Sequence, residues 1–177
     1  MKQDEWYSQC KPAKARGTVD RLCIFDFDDT IKVGAGRQIG VGRDAKPIID
    51  KCRELGYGVA IASASCETGF QKVFLRDAVD EDIFSDDMLA SDAYQSCQPN
   101  KTPALRKVLR HFEMDEVPEC AVFFDDKEFN GKFSAEVDVP FVKVDPEYGV
   151  TWNDFWFGMS LLDKKNCPAA AAATVAA

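Results

Sequence analysis

The sequence has one histidine and fewer basic than acidic residues, and both shortages exclude classes of protein. Its 177 residues include 22 Lys and Arg against 30 Asp and Glu, a net charge of −8. A zinc site built from several histidines is excluded, and a Ser-His-Asp triad could use only His111. The acidic balance argues against a general nucleic-acid-binding protein, which needs a basic surface to displace counterions.

The seven cysteines form no C-x-x-C pair, and no apolar stretch is long enough to cross a membrane. Their odd number and scattered positions predict reduced thiols that fill the core, in a reducing compartment. The first residues contain no apolar run typical of a signal peptide. We therefore expect a cytoplasmic protein that does not associate with membranes or nucleic acid.

The length fits one domain, and the composition changes at both ends of the chain. Hydrophobic residues make up 46% of the sequence, an ordinary share for a domain with a sizeable core. Residues 1–18 are polar and mixed in charge, and residues 166–177 end in an alanine-rich run. We predict a flexible leader at 1–18, one folded domain at 19–165 and a flexible tail at 166–177.

Short apolar runs alternate with amphipathic segments along the chain. Strands are predicted over residues 21–25, 57–63, 120–125 and 141–144, with a further short strand near 88–90. Helices are predicted over residues 45–55, 67–77 and 102–112 and from about residue 151, and the glycine-rich segment 32–42 predicts a loop or small hairpin. This alternation predicts an α/β fold with a three-layer, Rossmann-like parallel sheet that has helices on both faces.

Two of the predicted helices carry details that a structure can test. Asp44 is expected to cap the helix that follows it. The helix over residues 67–77 is expected to bury Phe70, Val73 and Phe74.

Two of the predicted strands end in acidic residues. The first runs into the sequence DFDDT, with Asp26 and Asp28 two residues apart, and another ends at Asp125 and Asp126. Because parallel strands direct their carboxyl ends to one edge of the sheet, we expect these carboxylates to meet there. Clustered carboxylates repel one another unless a cation neutralises them, and oxygen ligands suit Mg²⁺. Taken singly, each motif is also compatible with an ordinary acidic turn.

Two further polar residues fall where an anion could bind. Ser63 ends the strand sequence VAIAS, where a hydroxyl can donate to an anion. Lys101 begins a predicted helix, where its ammonium group can neutralise a phosphoryl oxygen. The ordinary alternatives are a small residue at a strand end and a solvated surface lysine.

Together and in this order, these residues resemble the four motifs of the haloacid dehalogenase-like superfamily of aspartate-nucleophile phosphatases. The likeness covers about residues 20–162 and is greatest to the small capless magnesium-dependent phosphatases, through the ASAS and FFDD-x-x-x-N runs. It implies catalytic roles for four residues, with the first as nucleophile and the second as acid and base: Asp26, Asp28, Ser63 and Lys101. Asp29 stands where many members have glycine.

The resemblance also implies a cofactor and a substrate. Mg²⁺ would be held by Asp26, Asp28, Asp125 and Asp126, with Asp28 using its backbone carbonyl and Asp126 binding directly or through water. No large cap domain is expected, because the segments between the motifs are short. The implied activity is hydrolysis of a phosphomonoester, either a phosphoprotein or a small phosphorylated metabolite. Phosphoryl transfer to another acceptor and a non-catalytic binding module are the alternatives, and the oligomeric state is left open.

A competing motif lies near the start of the chain. The spacing from Cys10 to Arg16 is the C-x5-R spacing of cysteine-dependent phosphatases. No core strand precedes it to form a phosphate-binding loop, so we interpret it as a chance match.

Overall fold

The computed structural model describes residues 19–170, in which helices pack on both faces of a central sheet. The strands are β1 (Leu22–Phe25), β2 (Lys32–Val33), β3 (Gly40–Val41), β4 (Gly58–Ala62), β5 (Tyr94–Gln95), β6 (Ala121–Asp125) and β7 (Phe141–Lys143). The helices are α1 (Ala45–Glu54), α2 (Thr68–Phe74), α3 (Asp86–Leu89), α4 (Lys101–His111), α5 (Asn130–Glu136) and α6 (Trp152–Lys164). None of these helices is long and apolar enough to span a membrane.

The order of the strands determines where a ligand can bind. Five parallel strands form the sheet in the order β5-β4-β1-β6-β7, and β2 and β3 form a separate antiparallel hairpin. The chain leaves β1 toward β4 and β5 and then returns to the other side of β1 at β6. The topological switch point therefore lies between β1 and β6, where α/β sheets open a ligand crevice. The predicted fold without a large cap is confirmed for the described residues.

The central strands are buried on both faces, as their continuous apolar sequences predict. All four residues of β1 have no solvent exposure. Phe25 of β1 stacks on Phe124 of β6, with ring centroids 5.2 Å apart. This packing fixes the spacing of the two strands whose ends carry the acidic motifs.

Several local predictions were wrong. Asp44 does not cap α1; its carboxylate accepts a hydrogen bond from the backbone N–H of Trp152, at the start of α6, at 3.3 Å. The strand predicted near 88–90 is helix α3, capped by Ser85, and the edge strand is β5 instead. Helix α5 was not predicted.

Helix α2 faces the core with a different side from the one predicted. Phe70 and Val73 are 43% and 49% exposed, and Phe74 is only partly buried. A π-helical turn over Leu75–Val79 continues the helix. The buried stripe follows i, i+4 and i+8 spacing and contains Gln71, Leu75 and Val79.

Four cysteines form two disulfide bonds, Cys66–Cys97 and Cys120–Cys167. The expectation that all the cysteines are reduced is therefore wrong for these four. The partners are 31 and 47 residues apart, so close spacing in the sequence could not reveal them. Two described cysteines remain buried thiols, Cys23 and Cys52.

The two ends of the domain meet at the amino-terminal side of β1. The Arg21 side chain donates to the backbone carbonyls of Cys167 at 2.8 Å and Pro168 at 3.0 Å. Cys167 and Pro168, which the composition assigned to the tail, therefore contact the domain. The leader at 1–18, with its C-x5-R spacing, and residues 171–177 lie outside the described part of the chain.

Candidate active site

Three predicted site residues lie together where neighbouring strands end. Strand β1 pairs in parallel with β4 on one side and β6 on the other. Asp26 directly follows β1, Ser63 directly follows β4, and Asp125 is the last residue of β6. All three are more than nine-tenths buried, at the edge that contains the switch point.

Lys101 joins two of the carboxylates from the start of α4. Its Nζ donates to Asp26 Oδ1 at 2.8 Å and to Asp125 Oδ2 at 2.6 Å, and the residue is 1% exposed. The Asn100 side chain caps this helix by accepting from the backbone N–H of Thr102, which fixes the turn from which Lys101 extends. Lysine is rarely buried unless it is paired, so this ammonium group belongs to the cluster.

The β6 end of the cluster is held by further hydrogen bonds. Asp125 accepts from Asn130 Nδ2 at 2.8 Å and from the backbone N–H of Lys127 at 2.7 Å. Three buried side-chain oxygens have no hydrogen-bond partner among the described residues: Thr30 Oγ1, Asn130 Oδ1 and Asp126 Oδ2, the last lying 3.5 Å from Lys127 Nζ. Unpaired oxygens at a buried site are ready to accept a cation or a proton donor.

The electrostatics of the site follow from burial and charge. Burial raises the pKa of the Asp26 carboxyl well above its usual range, and the neighbouring carboxylates add to this while Lys101 opposes it. Burial also raises the pKa of Asp126, with Asp125 contributing. Burial alone would lower the pKa of Lys101, but the two paired carboxylates outweigh it and raise that pKa. The site thus favours additional positive charge.

The donor set fits a hard divalent cation. Asp26, Asp125 and Asp126 can each offer an oxygen, and these oxygens lie within 4.8 Å of one another. The group contains only carboxylates, and Mg²⁺ prefers oxygen ligands. Asp28, the fourth predicted ligand, does not bring its side chain into this group.

Asp28 lies outside the buried cluster. Its side chain is 43% exposed and forms an ion pair with Lys32 Nζ at 3.0 Å. The backbone turns sharply between these residues, and Asp29 has a φ of 59° there. This is the left-handed region that glycine adopts most easily, which explains physically why glycine suits this position. Lys32 is a charged neighbour that the motif analysis missed.

Ser63 takes part in a buried hydrogen-bond network that the sequence analysis did not predict. Its Oγ accepts from Gln71 Nε2 of α2 at 2.9 Å and from the backbone N–H of Ser65 at 3.3 Å. Tyr94 of β5 donates from its hydroxyl to Gln71 Oε1 at 2.7 Å. Gln71 has no solvent exposure, so both ends of its amide have found partners inside the protein.

An apolar surface borders the site on the α2 side. Phe27 lies between Asp26 and Asp28 in the sequence, and its ring packs edge-on against Phe70 and Phe74, with centroids 6.3 and 5.4 Å away. Phe70 is 43% exposed. It therefore presents an aromatic face to solvent beside the strand ends.

Comparisons with known proteins support the fold. No protein-family model and no curated protein matches the sequence. The N-terminal part of a Bacteroides fragilis protein, containing a phosphatase domain complexed with Mg, has 20% identity and a TM-score of 0.60 over 88% of this chain. The match spans only 42% of that chain.

Two further solved structures share the fold over most of their length. An uncharacterized protein from Listeria monocytogenes serotype 4b has 17% identity and a TM-score of 0.55, over 75% of this chain and 83% of that one. A hypothetical protein from Xanthomonas campestris has 13% identity and a TM-score of 0.56, over 89% and 92%. The fold implied by the resemblance to the haloacid dehalogenase-like phosphatases is thus confirmed.

Proposed function

We propose that the protein is a Mg²⁺-dependent phosphohydrolase that cleaves phosphomonoesters through an aspartyl-phosphate on Asp26. The buried cluster of Asp26, Asp125 and Lys101 at the switch point carries the proposal. Such a group is costly to bury and is seldom needed for stability, which makes a functional role the better explanation. The shared fold with a Mg-complexed phosphatase domain supports it.

The first step forms the covalent intermediate. A carboxylate oxygen of Asp26 attacks phosphorus, and the bond from phosphorus to the alcohol oxygen breaks on the opposite side. Asp28 gives its proton to the departing alkoxide, a task that suits its exposed position at the mouth of the site. Lys101 and the Ser63 hydroxyl donate to the phosphoryl oxygens, where negative charge increases.

The second step releases orthophosphate. Asp28, now ionised, takes a proton from a water molecule that attacks the phosphorus of the aspartyl-phosphate. The bond between phosphorus and the Asp26 oxygen breaks, and the carboxylate is restored. One residue thus serves as acid and then as base.

The metal-binding residues in this proposal are Asp26, Asp125 and Asp126 through their side chains and Asp28 through its backbone carbonyl, as the family resemblance implies. When bound, Mg²⁺ would offset the negative charge of the carboxylates and the phosphoryl group. Asn130 orients Asp125 through its 2.8 Å hydrogen bond. The substrate is a phosphoprotein or a small phosphorylated metabolite, and Phe70 offers an apolar contact for its organic part.

A substrate panel with and without metal tests this proposal. Phosphorylated metabolites and phosphopeptides would be incubated with the protein, with Mg²⁺ or with excess chelator, and released orthophosphate would be measured. We expect release with Mg²⁺ and its loss after chelation, restored by added Mg²⁺. Full activity after exhaustive chelation would contradict the metal requirement. Loss of substrate without orthophosphate release would favour phosphotransfer, and no turnover on any substrate would favour a binding module.

A further inference from the structure

The hydroxyl of Ser63 has limited hydrogen-bonding capacity, and the protein already uses most of it. A serine hydroxyl can accept two hydrogen bonds and donate one. Gln71 Nε2 and the backbone N–H of Ser65 both donate to Ser63 Oγ. Only the hydroxyl proton is left, so the hydroxyl is committed to act as a donor.

Tyr94 pairs with the other end of the Gln71 amide. The two ends of a glutamine amide have opposite hydrogen-bonding character, so a reversed Gln71 would present Oε1 to Ser63 and take up its proton. The Tyr94 hydroxyl donates to Oε1 at 2.7 Å, in the orientation that directs Nε2 at Ser63. Burial raises the pKa of Tyr94, so the phenol retains its proton at neutral pH.

We propose that Gln71 and Tyr94 are positioning residues that hold the Ser63 hydroxyl as a hydrogen-bond donor to the phosphoryl group. The inference rests on the proposed phosphate-binding role of Ser63 and adds two residues that touch neither substrate nor metal. It also explains why α2 buries a glutamine and leaves Phe70 and Val73 exposed. A buried amide is favourable only when both of its ends are paired.

The proposal is tested by orthophosphate binding, which requires no turnover. Binding would be measured by titration calorimetry in the presence of Mg²⁺ for the wild type and for Ser63→Ala, Gln71→Met and the double variant. Ser63→Ala should weaken binding about tenfold or more, the size of a hydrogen bond to a charged group. Gln71→Met should weaken it about fivefold, because the hydroxyl is no longer directed. In the Ser63→Ala background, Gln71→Met should have no further effect.

The chain offers a matched control and a milder variant. Gln95 is also buried, but its amide donates to the Asp92 carbonyl at 3.0 Å, so Gln95→Met should leave phosphate affinity unchanged. Tyr94→Phe keeps the ring and removes only the orienting hydroxyl, and should weaken binding about twofold to threefold in wild type and not in Ser63→Ala. If Gln71→Met fails to fold, Tyr94→Phe tests the positioning role in its place.

The outcomes separate this inference from the proposed function. Equal losses with and without Ser63, or no loss in either background, would overturn the positioning role. A wild type that binds no orthophosphate would overturn it as well. A wild type that binds orthophosphate with the expected coupling but hydrolyses no phosphomonoester would leave the positioning role supported and the hydrolase assignment refuted.

Discussion

Asp26 and Asp28 of the DFDDT motif lie in different environments, although only one residue separates them. Asp26 is 6% exposed and paired with Lys101, which is itself buried between two carboxylates. The Asp28 side chain is 43% exposed and paired with Lys32 on the turn that leads into the β2–β3 hairpin. The Asp26 side of the site is thus built into the core, whereas the Asp28 side is open to solvent.

This difference matches what each residue has to do in the proposed reaction. A nucleophile must be held in line with the leaving group, and burial among charged partners restricts its motion. An acid and base must exchange protons with an alcohol and with water, which requires access. The same contrast predicts different consequences of substitution on the two sides.

The largest effect is expected for Asp26→Asn. The substitution removes the attacking oxygen while keeping the size of the side chain, so turnover should fall by several orders of magnitude. Steady-state orthophosphate release would measure it, and circular dichroism would show that the variant is folded. Near-normal turnover by Asp26→Asn would contradict the proposed mechanism.

A smaller and more selective loss is expected for Asp28→Asn. The variant keeps the nucleophile but lacks the proton donor, so turnover of alkyl phosphates should fall roughly 10²- to 10⁴-fold. Aryl phosphates need less protonation of the leaving group and should suffer less in the first step. The second step still lacks its base, so acid-quenched mass spectrometry should find phosphate accumulated on Asp26. An unmodified Asp26 during turnover would contradict the covalent intermediate.

Lys101→Met tests the buried side of the site through its effect on stability. It leaves Asp26 and Asp125 without their shared cation, and removal of one partner from a buried ion pair costs roughly 3–5 kcal/mol. Urea unfolding without metal would measure this loss, and added Mg²⁺ should recover part of it. Lys127→Met is the matched control, because Lys127 is 57% exposed and lies 3.5 Å from Asp126. Equal losses of unfolding free energy for the two variants would show that burial does not increase the contribution of Lys101 to stability.

The sequence was most informative where local pattern and tertiary environment agree. The runs that became β1 and β6 are continuously apolar and end in acid, so both their burial and the meeting of their ends could be predicted. Lys101 also fell at the start of a predicted helix. Predicting these features requires only that the carboxyl ends of parallel strands lie at one edge of the sheet. It does not require knowing which side chains contact one another.

Two of the failures occurred where a partner far along the chain decides the outcome. Helix α2 carries enough apolar residues for either face to be chosen, and the buried face is the one that pairs Gln71 with Ser63 and Tyr94. The sequence did contain a pattern that indicates the buried face, the stripe of Gln71, Leu75 and Val79. A search for apolar residues alone does not find this stripe, because one of its members is a glutamine. The prediction of reduced cysteines was wrong for the same reason, because separation along the chain does not determine distance in space.

The smallest effect is expected for Lys32→Met, which repeats the Lys101 substitution on the open side. Lys32 pairs with an Asp28 side chain that is 43% exposed, and ion pairs that solvent can reach contribute about 0–1 kcal/mol. The free energy of unfolding should therefore change by less than about 1 kcal/mol, against roughly 3–5 kcal/mol for Lys101→Met. Parallel urea titrations of the two variants give the comparison directly. If Lys32→Met destabilised the protein as much as Lys101→Met, the ion pair of Asp28 would contribute as much stability as the ion pairs of Lys101. The contrast between Asp26 and Asp28 would then not hold.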